Sequence, residues 1–169
     1  PALASARLGL IAAMAGSELD AASLSATESV LVEAMQALRD SDWKALEALD
    51  DELARIPASS LGFGAAVRAR TSWRIESKDP AAGQAAIPII DSLLARERTP
   101  DHYFIRAKAG YLAGDPAVAW AALAQVVAQG RPRPYLVQAS LDLVRELGSP
   151  PPGSQTVERL RMLGRGLRR

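Results

Sequence analysis

The chain has 169 residues, 49% of them apolar and 23% charged, which is enough for one domain of ordinary size with a continuous core. It has no cysteine and one histidine, His102, so disulfides, thiolate metal sites and histidine-rich metal sites are excluded, and hydrolase chemistry is not expected. The formal charge of +1 conceals an asymmetry: residues 1–56 hold ten acids and four bases, a balance of −6, and the remainder carries +7.

Alanine and leucine dominate the apolar set while aromatics make up 5%, so the expected class is all-α. Arginine outnumbers lysine 17 to 3, which fits a high-GC bacterial genome better than arginine-specific recognition. The chain starts at Pro1 rather than Met, and the expectation is that it was processed or excised from a longer product. Residues 1–24 are expected to form an N-terminal helix packed on the rest, with Leu3, Leu8, Leu10, Ile11 and Met14 on one broad face. Ala13-Met14-Ala15 resembles a signal-peptide cleavage site, but the segment falls short of the roughly 20 apolar residues that span a bilayer.

Ser25-Ala26-Thr27-Glu28 matches a capping box and opens the first firm helix, which Arg39 to Asp42 closes. A second helix is expected from Asp42 to Arg55, with Asp50, Asp51 and Glu52 on its polar face. Consecutive acids there point in different directions and build no acid/base site. The next pair is expected at 63–75 and 80–96, with Pro80 in the first helical turn and a kink or restart at Ile87-Pro88, since an interior proline loses the bond to the carbonyl four residues back.

Thr99-Pro100-Asp101 starts a helix expected to run to Leu112, and Asp115-Pro116 starts another to Gln129, where Gly130 ends it. A helix over 134–147 stops at Gly148. Ser149-Pro150-Pro151-Pro152-Gly153 reads as a semi-rigid spacer, followed by a last helix over 154–167. His102 is expected on the surface. Trp43, Trp73 and Trp120, each near a hairpin turn, are expected in the core.

Asp42, Asp79 and Asp115 lie between paired helices and are 37 and then 36 residues apart, a period that marks stacked helical hairpins. Tyr103, Ala107, Gly114, Ala119, Leu123 and Pro132 stand where a tetratricopeptide repeat places its aromatic, small, turn, small, large apolar and closing residues. Residues 101–132 therefore resemble that family, and a weaker likeness extends over 26–148. Gly110 departs from the pattern, as do Lys78 and Pro88.

The resemblance implies a right-handed stack of antiparallel helical hairpins, a TPR-like α-solenoid over residues 25–148, with a proline-rich loop and basic capping helix over 149–169. It implies a protein-protein interaction scaffold that binds a partner's peptide or helix in a concave groove, without cofactor or metal. The groove residues would be Met35, Arg39, Arg68, Ser72, Phe104, Lys108, Tyr111, Gln138, Asp142 and Arg145. Arg159, Arg161, Arg165, Arg168 and Arg169 form a basic surface beside Val157, Leu160, Leu163 and Leu167. Two alternatives stay open: binding of nucleic acid or an anionic membrane surface through these arginines, and service as an accessory domain to an enzyme or membrane-anchored part upstream of Pro1. No phosphate loop, dinucleotide fingerprint, zincin or nucleophile-elbow motif is present, no small-molecule substrate is indicated, and the compartment is not revealed.

Overall fold

The computed structural model describes residues 24–129 and 132–166. The expected N-terminal helix, Gly130, Leu167, Arg168 and Arg169 lie outside these residues. Among the described residues the chain is all-α, with no strand. The helices are α1 (Ala26–Asp40), α2 (Trp43–Ala48), α3 (Asp50–Ala54), α4 (Phe63–Glu76), α5 (Pro80–Leu94), α6 (Pro100–Leu112), α7 (Pro116–Ala128), α8 (Pro134–Leu147) and α9 (Thr156–Gly166). They fall into two compact units, divided between Ser77 and Lys78.

Several helix starts are written locally. Ser25 and Glu28 close the capping box reciprocally: the Glu28 amide reaches Ser25 Oγ at 3.3 Å and the Ser25 amide reaches Glu28 Oε2 at 2.8 Å. The three periodic aspartates each accept from an amide of the following turn: Asp42 from Ala45 (3.1 Å), Asp79 from Ala81 (3.0 Å) and Asp115 from Val118 (3.0 Å). Pro80, Pro100, Pro116 and Pro134 occupy first-turn positions, where the missing amide hydrogen has no intrahelical partner to lose.

The residue before each capping aspartate is left-handed: Ser41 at φ 55°, Lys78 at 58° and Gly114 at 70°. At Ser41 and Gly114 that backbone twist ends one helix and delivers the aspartate to the start of the next. At two of the turns the same overlapping bond closes the bend, from the Asp42 amide to the Ala37 carbonyl (2.8 Å) and from the Asp115 amide to the Gly110 carbonyl (2.9 Å). Only the third turn places glycine at the left-handed position, where a side chain is costly.

In the first unit α1 packs against α2, α3 and α4, and α4 also packs on α2 and α3. Leu31, Ala34, Ala37, Leu46, Leu53, Ile56, Ala66 and Ala69 form its buried cluster, with Trp43 and Trp73 packed against it. The helix expected over 42–55 is divided at Leu49, immediately before Asp50.

In the second unit α5 packs on α6 and α6 on α7, while α8 packs on α6 and α9, and α9 on α7. Ala107, Trp120, Ala122, Leu123 and Leu143 form a buried cluster, joined by Phe104, Val144, Leu147 and Val157. Gly110 explains its departure from the repeat pattern, because a Cβ there would stand 2.8 Å from Val118 Cγ1 and 2.9 Å from the Ala119 amide nitrogen. The missing side chain sets the approach of α6 to α7.

Two expectations need correction. α5 runs unbroken through Pro88, so no restart occurs. Pro88 and Gln84 are both exposed, and the face that loses the helical bond is therefore the one that water reaches. His102 is buried, not on the surface, because the chain before α6 folds back over it: its Nδ1 lies 3.0 Å from the Glu97 carbonyl.

Candidate functional site

Asp50 is the most heavily engaged side chain of the first unit. The break at Leu49 starts α3 with this residue turned toward α4, where Arg70 and Arg74 stand one helical turn apart. Arg70 donates through Nε (3.2 Å) and Nη2 (3.4 Å), and Arg74 through Nη2 (2.6 Å) and Nη1. Trp73 donates its indole hydrogen to Oδ1 at 3.1 Å, and the Arg74 guanidinium lies over the Trp73 ring, 4.3 Å from its centroid. Burial pushes the Asp50 pKa up, but the hydrogen bonds from Arg74, then Arg70 and Trp73, outweigh it and bring the value down to about 2. A carboxylate so held is no base at neutral pH. It is a clamp between α3 and α4, and the expectation that Asp50 lies on a plain polar face is corrected.

The residues expected to line a groove divide between the units. In the first, Arg39 and Arg68 are exposed, Met35 and Ser72 half-buried, and Arg39 Nη1 donates to Gln36 Oε1 at 3.2 Å. In the second, Phe104 is half-buried and packs on the core cluster, so inter-helix packing accounts for it. Lys108 is half-buried, Tyr111 is 40% exposed, and Gln138, Asp142 and Arg145 are exposed. Asp142 accepts from Gln138 Nε2 at 3.1 Å and from Arg145 Nη1 at 2.5 Å, a polar row along α8.

The sequence reading missed the contacts that join these two helices. The Tyr135 hydroxyl, at the start of α8, donates to the Asp101 carboxylate at the start of α6. Tyr111, near the end of α6, faces the Glu146 carboxylate near the end of α8, which raises its pKa. Each carboxylate partner favours the neutral phenol and raises its pKa. Start meets start and end meets end, so α6 and α8 lie side by side and parallel. The signal was available in the 34 residues that separate both Pro100 from Pro134 and Asp101 from Tyr135.

The basic helix α9 carries Arg159, Arg161 and Arg165, all exposed. Arg159 Nη2 reaches Gln155 Oε1 at 3.4 Å, whereas Arg161 and Arg165 form no ion pair among the described residues. These last two line the cleft between α8 and α9. Among the described residues no three His, Asp or Glu side chains gather as a metal site, and no helix is long and apolar enough to cross a membrane. Comparison with protein-family models, with curated proteins and with solved structures returns no match.

Proposed function

We propose that the protein is an interaction scaffold whose hairpins stack as a TPR-like α-solenoid, and that a segment of a partner protein docks on the outer faces of α6 and α8. The observation that carries this reading is the bond from the Tyr135 hydroxyl to Asp101, which ties the first turns of the two helices while α6 and α8 pack side by side. Along α8 stand Gln138, Asp142 and Arg145, an exposed mixed-charge row that a bound chain can meet with both signs. Rigid helices holding Tyr and Arg at a surface suit protein recognition, since those side chains supply much of the energy at interfaces and lose little freedom when pre-positioned.

Quantitative affinity capture from native lysate tests the proposal. The wild-type chain should retain a partner that the double variant Tyr111→Ala, Asp142→Lys releases, with both proteins equally helical by circular dichroism. Equal retention by the two proteins would remove this surface from the reading.

A further inference from the structure

The cleft between α8 and α9 is a second surface, which shares Gln138 and Arg145 with the first. Pro134, Val137, Gln138 and Leu141 of α8 with Arg161, Gly164 and Arg165 of α9 line one end of it, a hollow of about 370 Å³. Val144, Arg145 and Gly148 with Val157, Arg161 and Met162 continue it toward the proline loop. At about 100° per residue, Val137 and Leu141 stand on the side of α8 opposite Tyr135 and Glu146, the residues that meet α6. The cleft therefore faces away from α6.

The 34-residue register gives this face its meaning. Gln138, Leu141 and Arg145 are the counterparts of Phe104, Ala107 and Tyr111, each 34 residues earlier. On α6 those three meet α8: Phe104 and Ala107 join the cluster that holds Leu143 and Val144, and Tyr111 faces Glu146. The α8 cleft is thus the place where the next helix of the stack would lie. At this position the chain substitutes a glutamine and an arginine for the two aromatics and brings up Arg161 and Arg165 from α9. Arg145, Arg161 and Arg165 line the cleft with one acid, Glu158; Arg145 is paired with Asp142, so Arg161 and Arg165 carry its positive charge, while Val137, Leu141, Val144 and Val157 form its floor. Met162, 57% exposed, stands at the rim.

We infer that this cleft receives one amphipathic helix of a partner protein, laid along α8 with its apolar stripe on the valine-leucine floor and acidic side chains against Arg161 and Arg165. Charge complementarity selects an acidic helix over a basic one, and the apolar floor selects a helix over a phosphate backbone, which has nothing to bury there. The groove matches about four turns, the length of α8.

The test uses the full chain and a fluorescein-labelled synthetic helix of roughly 18 residues, hydrocarbon-stapled, with leucines at helical spacing and glutamates on both flanks. A sister peptide carries lysine in place of glutamate. By anisotropy the acidic peptide should bind saturably and about ten-fold more tightly than the basic one, the difference that about 1.4 kcal/mol makes. The variant Arg161→Glu, Arg165→Glu should reverse that order, and Gln138→Phe, which restores the residue α6 uses at this place, should tighten binding of the acidic peptide. Equal binding of the two peptides, no saturable binding, or a preference untouched by the double charge reversal overturns the inference. So does tighter binding of single-stranded DNA or of phosphatidylglycerol vesicles than of the acidic peptide. Concentration-dependent self-association abolished by the same double variant also overturns it, since a second copy would then occupy the cleft.

Discussion

Tyr135 donates its hydroxyl hydrogen to the carboxylate of Asp101, so that the first turns of α6 and α8, 34 residues apart, are tied by one bond. The bond needs a neutral phenol, and the Tyr135 pKa is raised by this contact and then by burial. A group whose folded pKa is raised adds stability that is fully present below its unfolded value, near 10 for tyrosine, and lost as pH rises through the folded value. Tyr135→Phe should destabilise the protein by a few tenths of a kcal/mol at pH 7, because the pair is exposed and screened. It should also flatten the fall in urea midpoint above about pH 10. An unchanged alkaline slope would show that the bond does not persist in solution.

Asp50 sets the opposite dependence. Its folded pKa, about 2, lies below its ordinary value, so its contribution is complete above about pH 4 and disappears as the solution is acidified toward pH 2. Asp50→Asn should remove on the order of 2 kcal/mol at pH 7, leaving Arg70 and Arg74 to repel each other in a half-buried site. The variant and the wild type should converge in stability near pH 2, as read by circular dichroism in urea at fixed ionic strength.

The three turns make a graded series. Ser41 and Lys78 hold a left-handed backbone that Gly114 adopts at no steric cost. Ser41→Gly and Lys78→Gly should each raise the thermal midpoint, by roughly 0.5–1 kcal/mol of stability, whereas Gly114→Ala should lower it by about 1 kcal/mol. Opposite signs at chemically similar turns are the signature to look for.

Gly110→Ala tests the close approach of α6 and α7. An added methyl meets Val118 and the Ala119 backbone within 3 Å, so the cost should be about 1–3 kcal/mol despite the better helix propensity of alanine. Val118→Ala added to Gly110→Ala should recover part of that loss, measurable as a coupling energy in a double-mutant cycle.

The helices were legible because their ends are written locally: a capping aspartate, serine or threonine, then a proline or glutamate at fixed offset, needs no knowledge of the tertiary structure. α6 and α8 run between the residues that these signals predict, Pro100 to Leu112 and Pro134 to Leu147. Of the kink or restart expected at Pro88, the restart does not occur: α5 continues through it, with Pro88 and Gln84 both on its exposed side. Asp50 and His102 were not legible. Asp50 meets arginines 20 and 24 residues away, and His102 is covered by the segment that precedes its own helix. Neither partnership has a local pattern. The parallel pairing of α6 and α8 lies between these cases, visible as a 34-residue spacing once Tyr135 is set beside Asp101.

Lys78 has a consequence for how the chain can be taken apart. It is an exposed, basic residue in a left-handed turn, at the boundary between two units that each bury their own apolar cluster. Exposed turns between compact units are where proteases nick first and where insertions are best accepted. A trypsin-like enzyme acting on the native chain would find its scissile bond at the seam between two hydrophobic cores, and the same seam offers a splice point at which either half could be grafted onto another helical array.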